Sequence, residues 1–437
     1  MPHYAGTLAT ARHLAARGVE VAIASDRVLA AAAWSRYVVR RAKSPPVVRG
    51  PAEMAAWLGR YGNRHEGAVL YPTSDDMAWV VARYAEKLRQ RFRLYVPPLE
   101  AMRSLLDKSV LYEVCTKLGV PAPKSWFPRS ESELADLCDG KRSLLLKPRA
   151  QMFYPGGKGE RIVDREHGLR TWRLYRSNRY APGVLEEQPS LDLPFVQEYE
   201  PTATQGTYSI SGFVEPSGRI LGARASTKLL QTARVGIGMC FLASEVEPTP
   251  LRHVAEVAKS VGYYGAFEVE FVNRNGTYLM IDFNPRYYGQ MGFDIARGVP
   301  LPWLIHNAAQ GRTGGLDQLF SNELPADAPT FYCDRVALTW WLGMAVASGG
   351  VGRRDALRWY RMLEELSAHS IDASWKREDP LPSLIGAAAV AWHSLRNPFS
   401  FVRSLRNIRD AYQQPIAPPG LEAARRPAHD IAELSET

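Results

Sequence analysis

Carboxylates and an amide are concentrated in one stretch that is predicted to form a β-hairpin. Two predicted strands flank an Asn-Arg-Asn-Gly turn, and Glu270 and Asp282 stand twelve positions apart. Because side chains alternate along a strand, Glu268 shares a face with Glu270, and Asn284 shares one with Asp282. Such oxygen donors suit Mg²⁺, which keeps waters and substrate phosphates as its other ligands. The alternative is a solvated acidic face, which the apolar neighbours and the following Asn-Pro-Arg sequence disfavour.

Two lysines precede this hairpin. Lys108 opens a predicted helix over 107–118, and Lys147 ends a predicted short strand over 143–147. Either position is ordinary for a lysine taken alone. Taken together and in order, the residues resemble the ATP-grasp superfamily. Its metal hairpin corresponds to Glu270, Asp282, Asn284 and Arg286, and its two ATP lysines correspond to Lys108 and Lys147.

The resemblance implies a site for ATP and Mg²⁺, with Mn²⁺ as an alternative ion. It implies that Glu270, Asp282 and Asn284 hold the metal and that both lysines meet phosphate oxygens as point charges. It also implies a mobile loop that closes over the phosphates after the second lysine. The glycines of that loop are Gly156, Gly157 and Gly159. A Pro-Gly-Gly sequence taken alone is more often an ordinary turn.

A segment starting at Phe195 resembles the link between the two ATP-grasp subdomains. In the family its backbone reads adenine and its acid accepts from the amino group or the ribose. The corresponding residues are Gln197, Glu198, Tyr199 and Glu200. Thr207 stands where many relatives carry an acid, so the residue that holds the ribose stays open, with Glu200 as one candidate.

A basic strand and the residues after the hairpin resemble the acceptor side of the family's site. Arg224 and Lys228 would hold a substrate carboxylate and the transferred phosphate, unless they form a basic edge that faces water. Arg286 would be catalytic and would stabilise the charge that develops as the nucleophile attacks. Tyr288 and Gly289 would shape the acceptor pocket, with aromatic core packing as the alternative. The Thr-Ser-Asp-Asp sequence at 73–76 is more simply a helix cap.

Alternating helices and strands before residue 100 predict parallel βαβ units. The expected fold is mixed α/β and α+β, in this order: a doubly wound pre-ATP-grasp domain (1–100), two ATP-grasp subdomains (101–194 and 195–315), a helical extension (316–414) and a disordered tail (415–437). The first predicted helix, 7–18, lacks the strand that normally opens a doubly wound sheet. Either the chain is truncated there or the sheet is completed differently.

Composition limits the remaining classes of protein. The chain has 437 residues, of which 46% are hydrophobic and 23% charged, with a formal net charge of +9. This mild excess of positive charge favours anionic ligands but is too small and too dispersed for a nucleic-acid tract. No apolar run approaches the length of a spanning helix. Its four cysteines lack metal or disulfide spacing, and no leader is visible, so we expect a reducing cytoplasm.

The expected function is ligation of a carboxylate to an amine. ATP would phosphorylate the carboxylate, and an amine would displace phosphate to leave an amide, with ADP and phosphate released. The substrates would be small, such as amino acids or peptides. Their identities, the number of metal ions, the general base and a homo-oligomeric state stay open. The alternatives are a noncatalytic nucleotide-binding or membrane-surface protein, suggested by a basic Trp-containing segment at 379–410, and an ATP-grasp kinase or carboxylase.

Overall fold

The computed structural model describes residues 5–140, 142–201, 206–231, 238–366 and 369–397, together with 402 and 405. Its helices are α1 (Ala5–Ala15), α2 (Pro51–Gly62), α3 (Asp75–Arg83), α4 (Ala85–Arg89), α5 (Leu99–Leu106), α6 (Lys108–Leu118), α7 (Glu131–Cys138), α8 (Arg165–Ser177), α9 (Val184–Glu187), α10 (Pro248–Val261), α11 (Met291–Ala296), α12 (Leu301–Ala309), α13 (Arg335–Ala347), α14 (Arg353–Glu365) and α15 (Leu381–Arg396). Its strands are β1 (Val21–Ser25), β2 (Val38–Lys43), β3 (Ala68–Val69), β4 (Phe92–Arg93), β5 (Ser125–Trp126), β6 (Leu144–Lys147), β7 (Glu160–Ile162), β8 (Phe195–Glu198), β9 (Thr207–Val214), β10 (Ile220–Gln231), β11 (Gly238–Ser244), β12 (Gly265–Arg274), β13 (Thr277–Asn284), β14 (Phe331–Cys333) and β15 (Ser370–Asp372).

The opening region contains two separate pairs of parallel strands. β1 pairs with β2 and β3 pairs with β4, so the predicted parallel arrangement is confirmed. Within the described residues no ladder joins the two pairs, and the continuous doubly wound sheet expected here is not formed. The helix expected near 76–91 divides at Tyr84 into α3 and α4, and β2 escaped prediction because its charged residues hide any alternation.

A four-stranded antiparallel sheet follows, in the order β5-β8-β6-β7. Helices α7 and α8 pack against it around Leu134, Leu144 and Trp172, all of which are buried. Since β6 and β8 are neighbours, Lys147 lies opposite Phe195. The second predicted ATP lysine and the predicted link segment therefore lie on adjacent strands.

The largest sheet has seven strands in the order β13-β12-β9-β10-β11-β14-β15. All of its ladders are antiparallel except the one between β14 and β15. Phe267, Val269 and Phe271 on β12 are fully buried and belong to the main core, to which α5, α6 and α10 contribute. One face of this sheet is thus fixed by apolar packing, which determines the direction of every side chain on the other face.

The extension after residue 316 was predicted to be helical, but it also contains strands. β14 and β15 extend the large sheet, and α13, α14 and α15 surround them. The Asp379 carboxylate is buried and accepts from Arg12 Nε at 2.9 Å and Ser35 Oγ at 2.7 Å, which attaches this part to the opening region. The helix predicted at 401–412 and the predicted tail lie outside the described residues, apart from positions 402 and 405. No helix among the described residues is long and apolar enough to cross a membrane.

Candidate active site

The second face of the seven-stranded sheet is polar where β10, β9, β12 and β13 lie side by side. One cross-strand row contains Arg224, Ser211, Glu268 and Asn284, and the next contains Ser226, Ser209, Glu270 and Asp282. These positions alternate with the apolar residues of the core, so all of them project from the same face. The predicted metal residues are therefore part of a wider polar surface.

The hairpin turn and a register shift in β12 together align the two acids. Asn275 and Gly276 both have positive φ, 51° and 87°, as a tight hairpin turn of the Asn-Gly type requires. A register shift between Glu270 and Phe271 then places Glu270 directly opposite Asp282, instead of Ile281, and Glu268 opposite Asn284. Side chains opposed in this way start from Cβ atoms about 5 Å apart, close enough for two carboxylates to share one cation.

Two lysines neutralise these acids. Lys108 Nζ lies 2.5 Å from Asp282 Oδ1, and Lys228 Nζ lies 2.8 Å from Glu270 Oε1. Burial by itself would lower the pKa of both lysines, but the facing carboxylates reverse the effect and raise it. Burial would likewise raise the pKa of Asp282, yet Lys108 holds it below its ordinary value. Both lysines and Asp282 are thus charged at neutral pH.

Helix α6 places Lys108 by ordinary capping. The Asp107 side chain accepts from Ser109 N at 2.9 Å, and Gly119 ends the helix in the left-handed region at φ 68°. Lys108 is therefore the first residue of the helix, and its side chain reaches across to β13. The predicted element is confirmed to within one residue.

Lys147 lies beside a second positive charge. Its Nζ donates to Gln197 Oε1 at 2.8 Å, and burial, followed by the charge of Lys108, lowers the pKa of Lys147 to about 8. Two ammonium groups that repel each other in a partly buried site favour an anion between them. The predicted lysines are brought together here.

Glu268 is more deeply buried than the acids beside it. Its carboxylate accepts from Asn284 Nδ2 at 2.6 Å and from Gln290 Nε2 at 2.8 Å. Burial, and next the charge of Glu270, raise the pKa of Glu268 to about 7. Glu268 orients the amide of Asn284 so that its oxygen faces the opposite way, toward Arg286 Nη2 at 2.8 Å.

Arg286 connects the hairpin to the opening region. Its Nε donates to Asp75 Oδ1 at 2.6 Å, in addition to the contact with Asn284. The sequence 73–76 was expected to be a helix cap only. Ser74 does cap α3, by accepting from Met77 N at 3.3 Å, but the adjacent Asp75 belongs to the candidate site.

The glycine-rich loop lies against the second lysine. A Cβ atom at Gly159 would come within 2.9 Å of Lys147 Cγ, and one at Gly156 would come within 2.4 Å of the Tyr154 ring. These glycines are therefore required by close approach. Lys158, between them and next to Gly157, lies close enough to contribute to the lowered pKa of Asp282.

The link segment is held by an arginine that the sequence did not single out. Arg274 on β12 donates to Glu200 through Nε and to Glu198 Oε2 through Nη2 at 3.3 Å. The backbone amide of Tyr199 donates to Ser143 O at 2.8 Å. Glu198 and Glu200 thus lie between the four-stranded sheet and β12.

The other predicted substrate residues differ in whether they contact the predicted metal residues. Arg224 is buried and donates to Arg297 O at 3.1 Å, and its Nη2 has no partner in the part of the chain that the structure describes. Tyr288 is buried and donates to Asp294 at 2.6 Å, which agrees with the packing alternative, and Gly289 O faces Tyr332. Lys228 is the one of these predicted acceptor residues that contacts a predicted metal residue.

The sequence reasoning missed two hydroxyls in the centre of the polar face. Thr207 Oγ1 and Ser209 Oγ are buried and have no hydrogen-bond partner among the described residues. The polar residues at every second position from 207 to 211 were the available signal. Unsatisfied buried donors beside the lysine pairs are expected at a site that binds an anion or ordered water.

The residues fit a magnesium ion, although they do not form a dense metal cluster. No group of three or more His, Cys, Asp and Glu side chains that could hold a metal occurs in the described part of the chain. Glu270, Asp282 and the amide oxygen of Asn284 supply three hard oxygen donors on one face. Mg²⁺ binds with few protein ligands because water and phosphate complete its shell.

The solved structures that are similar to this chain share one fold. No protein-family model and no curated protein sequence matches the chain. Similar solved structures include a biotin carboxylase from Campylobacter jejuni (TM-score 0.56, 15% identity, 74% of this chain and 72% of that chain). They also include an L-amino acid ligase from Bacillus licheniformis (0.52, 14%, 71% and 72%) and an N5-carboxyaminoimidazole synthetase from Staphylococcus aureus (0.53, 11%, 74% and 77%).

These neighbours define the class of architecture. All three are ATP-grasp proteins, and the chain has the ATP-grasp fold. The predicted resemblance is thereby confirmed at the level of the fold. The limits of the domains and the roles of the individual site residues remain predictions.

Proposed function

We propose that the chain is an ATP-dependent carboxylate–amine ligase, which forms an amide through an acylphosphate and releases ADP and phosphate. The observation that carries the proposal is the opposed pair of Glu270 and Asp282, each in contact with a largely buried lysine. Carboxylates for a metal beside lysines for phosphate are what transfer of a terminal phosphoryl group needs.

Each cation on the polar face has a proposed task. Lys108 and Lys147 bind oxygens of the β- and γ-phosphates, and the amides of the loop at 156–159 close over them. Glu270, Asp282 and Asn284 hold Mg²⁺, after Lys108 and Lys228 exchange their carboxylate partners for phosphate oxygens. Mg²⁺ held by these residues would act as a Lewis acid and would offset the negative charge of the phosphates.

The acceptor chemistry is proposed for the end of β13. Arg286 has a planar guanidinium held by Asn284 and Asp75, so it is oriented before substrate arrives. It stabilises the oxyanion that forms when the amine attacks the acylphosphate. Lys228 and Arg224 are proposed to bind the substrate carboxylate and the transferred phosphate, since Arg224 Nη2 has no partner among the described residues.

Adenosine is proposed to bind along β8. Gln197, Tyr199 and the backbone between them face the adenine, while the ribose hydroxyls compete with Arg274 for the carboxylates of Glu198 and Glu200. Since Arg274 already engages both acids, either can accept from the ribose, and Glu200 is the more buried of the two.

The test is the identity of the products. The protein is incubated with ATP, Mg²⁺ and pairs of amino acids, the nucleotides are separated by chromatography, and the acceptor is examined by mass spectrometry. We expect ADP, phosphate and an amide, and hydroxylamine should trap the activated acyl group. AMP and pyrophosphate would contradict the acylphosphate mechanism.

Two controls distinguish the rivals. Asp282→Asn should release no ADP under the same conditions, which excludes a contaminating ATPase. Bicarbonate is tested as the sole carboxylate, because one similar structure is a biotin carboxylase. ADP formation that depends on bicarbonate and yields no amide would replace the ligase by a carboxylase.

A further inference from the structure

The chain just before the glycine-rich loop contains a residue in a strained backbone conformation. Phe153 has a φ of 55°, in the left-handed region. Among the described residues, Asn275 of the hairpin turn is the other non-glycine residue with positive φ. The tight turn requires this conformation of Asn275, but a bulky residue such as Phe153 adopts it at a cost in free energy. Such a residue persists where its surroundings hold it, so Phe153 indicates a constraint beside the loop.

The contacts that hold Phe153 come largely from helix α3. Its backbone N–H donates to Asp76 Oδ1 at 2.6 Å, across 77 positions of the chain. Its ring packs edge-on against Trp79 of the same helix, with centroids 6.0 Å apart, and both rings are buried. Its carbonyl oxygen accepts from Ala181 N at 3.0 Å. The N–H and the C=O of Phe153 are thus both fixed, and α3 fixes the N–H.

Asp76 is a buried acid, and the Phe153 amide stabilises its charge. Asp76 is 7% exposed, whereas the side chain of Glu53, in the first turn of α2, is 40% exposed. Burial, as the largest effect, raises the pKa of Asp76, and the hydrogen bond from Phe153 N is the largest effect that lowers it. An acid that only complemented the helix dipole could do so at the surface, without the cost of burial. The burial of Asp76 therefore indicates that its contact with Phe153 has a function.

Two consecutive acids of α3 contact different parts of the candidate site. Asp75 accepts from Arg286 Nε at 2.6 Å, and Asp76 holds the residue that precedes the loop. The helix itself is well fixed, because Ser74 caps it and Trp79 is fully buried. The first turn of α3 therefore sets the position of the loop relative to the guanidinium of Arg286.

We propose that Asp76 is a positioning residue, which binds the amide of Phe153 and so fixes the start of the glycine-rich loop relative to Arg286. The inference rests on the proposed function, in which the amides of the loop at 156–159 close over the β- and γ-phosphates. Backbone amides bind phosphate oxygens well when they are aligned in advance, and small displacements weaken such contacts. Asp76 touches no phosphate itself and acts through Phe153.

The experiment compares two substitutions of Asp76. Asp76→Ala removes the acceptor, whereas Asp76→Asn keeps an oxygen for Phe153 N at nearly the same volume. Affinities for ATP and for AMP are measured by calorimetry with Mg²⁺, since AMP lacks the two phosphates that the loop covers. We expect Asp76→Ala to weaken ATP binding by about tenfold or more and AMP binding by less than about twofold. Asp76→Asn should keep both affinities within about twofold of wild type.

A purely structural role of Asp76 gives a different pattern. General loosening of the fold would weaken ATP and AMP binding alike, so equal losses in Asp76→Ala would overturn the inference. A loss in Asp76→Asn as large as that in Asp76→Ala would also overturn it. In either case the proposed function would stand, provided that wild type binds ATP. No ATP binding by wild type would overturn the proposed function, and this inference with it.

A measurement on wild type decides the matter if Asp76→Ala does not fold. Without nucleotide, the amide of Phe153 should exchange its hydrogen at least about tenfold more slowly than the amides of 156–159, because Asp76 holds it in a buried position. Equal exchange rates would show that the contact does not fix the start of the loop and would overturn the inference.

Discussion

The seven-stranded sheet and the opening region differ in how fully their strands are paired. Among the described residues, β9, β10 and β12 each have a partner on both edges, whereas β1 and β3 each have one. Full pairing fixes the register, and the register aligns Glu270 with Asp282 and Glu268 with Asn284. Incomplete pairing leaves an apolar cleft instead. The comparison teaches that strands paired on both edges hold the residues of the polar face in line, whereas in the opening region a cleft lies beside strand edges that have no partner in the described part of the chain.

The largest effect is expected from the opposed acids. Glu270→Gln and Asp282→Asn should each reduce turnover by about 10³-fold or more, because an anionic metal ligand is lost at nearly constant volume. The melting midpoint without ligand should stay within about 3 °C of wild type, since the amides still accept from the lysines.

Glu66→Gln is the matched control, because Glu66 is an exposed acid paired with Arg91. Steady-state rates at limiting Mg²⁺ and melting curves are compared across the four proteins. Full activity of both hairpin variants would show that the polar face is not the metal site.

The next effect concerns Arg286. Arg286→Lys should reduce kcat by about 10²-fold with little change in ATP affinity, because the charge remains but the planar fork that Asn284 and Asp75 hold is lost. Single-turnover rates and ATP titrations separate the two quantities. Arg219→Lys, at an exposed pair with Glu215, is the control. Equal losses of rate and ATP affinity would assign Arg286 to nucleotide binding instead.

A smaller effect should appear as pH dependence. Lys147, with its pKa of about 8, is cationic below that pH and neutral above it. ATP affinity should therefore be highest below pH 8 and should fall by about tenfold as the pH rises above it, when a charge-assisted contact is lost. Bound phosphate raises the pKa of Lys147, so the loss in the complex occurs at higher pH.

Lys147→Arg provides the comparison, because arginine stays protonated throughout this range. Its affinity profile should be flat from pH 7 to about 9. ATP titrations at constant ionic strength measure both proteins. Parallel profiles for the two would assign the pH dependence to another group.

The smallest effect on turnover is expected at α15. The apolar side chains of Val390 and Trp392 on this helix are about half exposed. We therefore expect this face of α15 to be a packing or oligomer surface. Trp392→Ser should weaken self-association in sedimentation velocity and leave the rate unchanged. Deletion of 398–437 keeps the buried Asp379 anchor, whereas a cut at 379 would remove it. Salt-sensitive binding to acidic liposomes that this deletion abolishes would instead indicate a membrane surface.

Local patterns in the sequence were sufficient for the hairpin and for α6. The Asn-Gly turn predicts the hairpin, and a cap and a glycine delimit the helix of Lys108. The register shift between Glu270 and Phe271 that aligns Glu270 with Asp282 was not predicted. Both features depend on residues close in the chain. This is why the core of the candidate site could be predicted before the fold was known.

Long-range partners could not be predicted in the same way. Arg286 meets Asp75 from 211 positions away, and Arg274 reaches Glu198 and Glu200 from more than seventy. Nothing in the spacing of these residues encodes such contacts, which arise when separate sheets pack together. The short strands β14 and β15 were missed for the same reason, because their pairing depends on β11 and on each other.

The most direct test of the account is the dependence of ATP binding on Mg²⁺. Calorimetric titration of ATP into wild type and Asp282→Asn, each with and without Mg²⁺, measures whether this face holds both ligands. We expect Mg²⁺ to tighten binding by about tenfold or more in wild type and to have little effect in the variant. The same Mg²⁺ dependence in both proteins, or no ATP binding by wild type, would contradict the account.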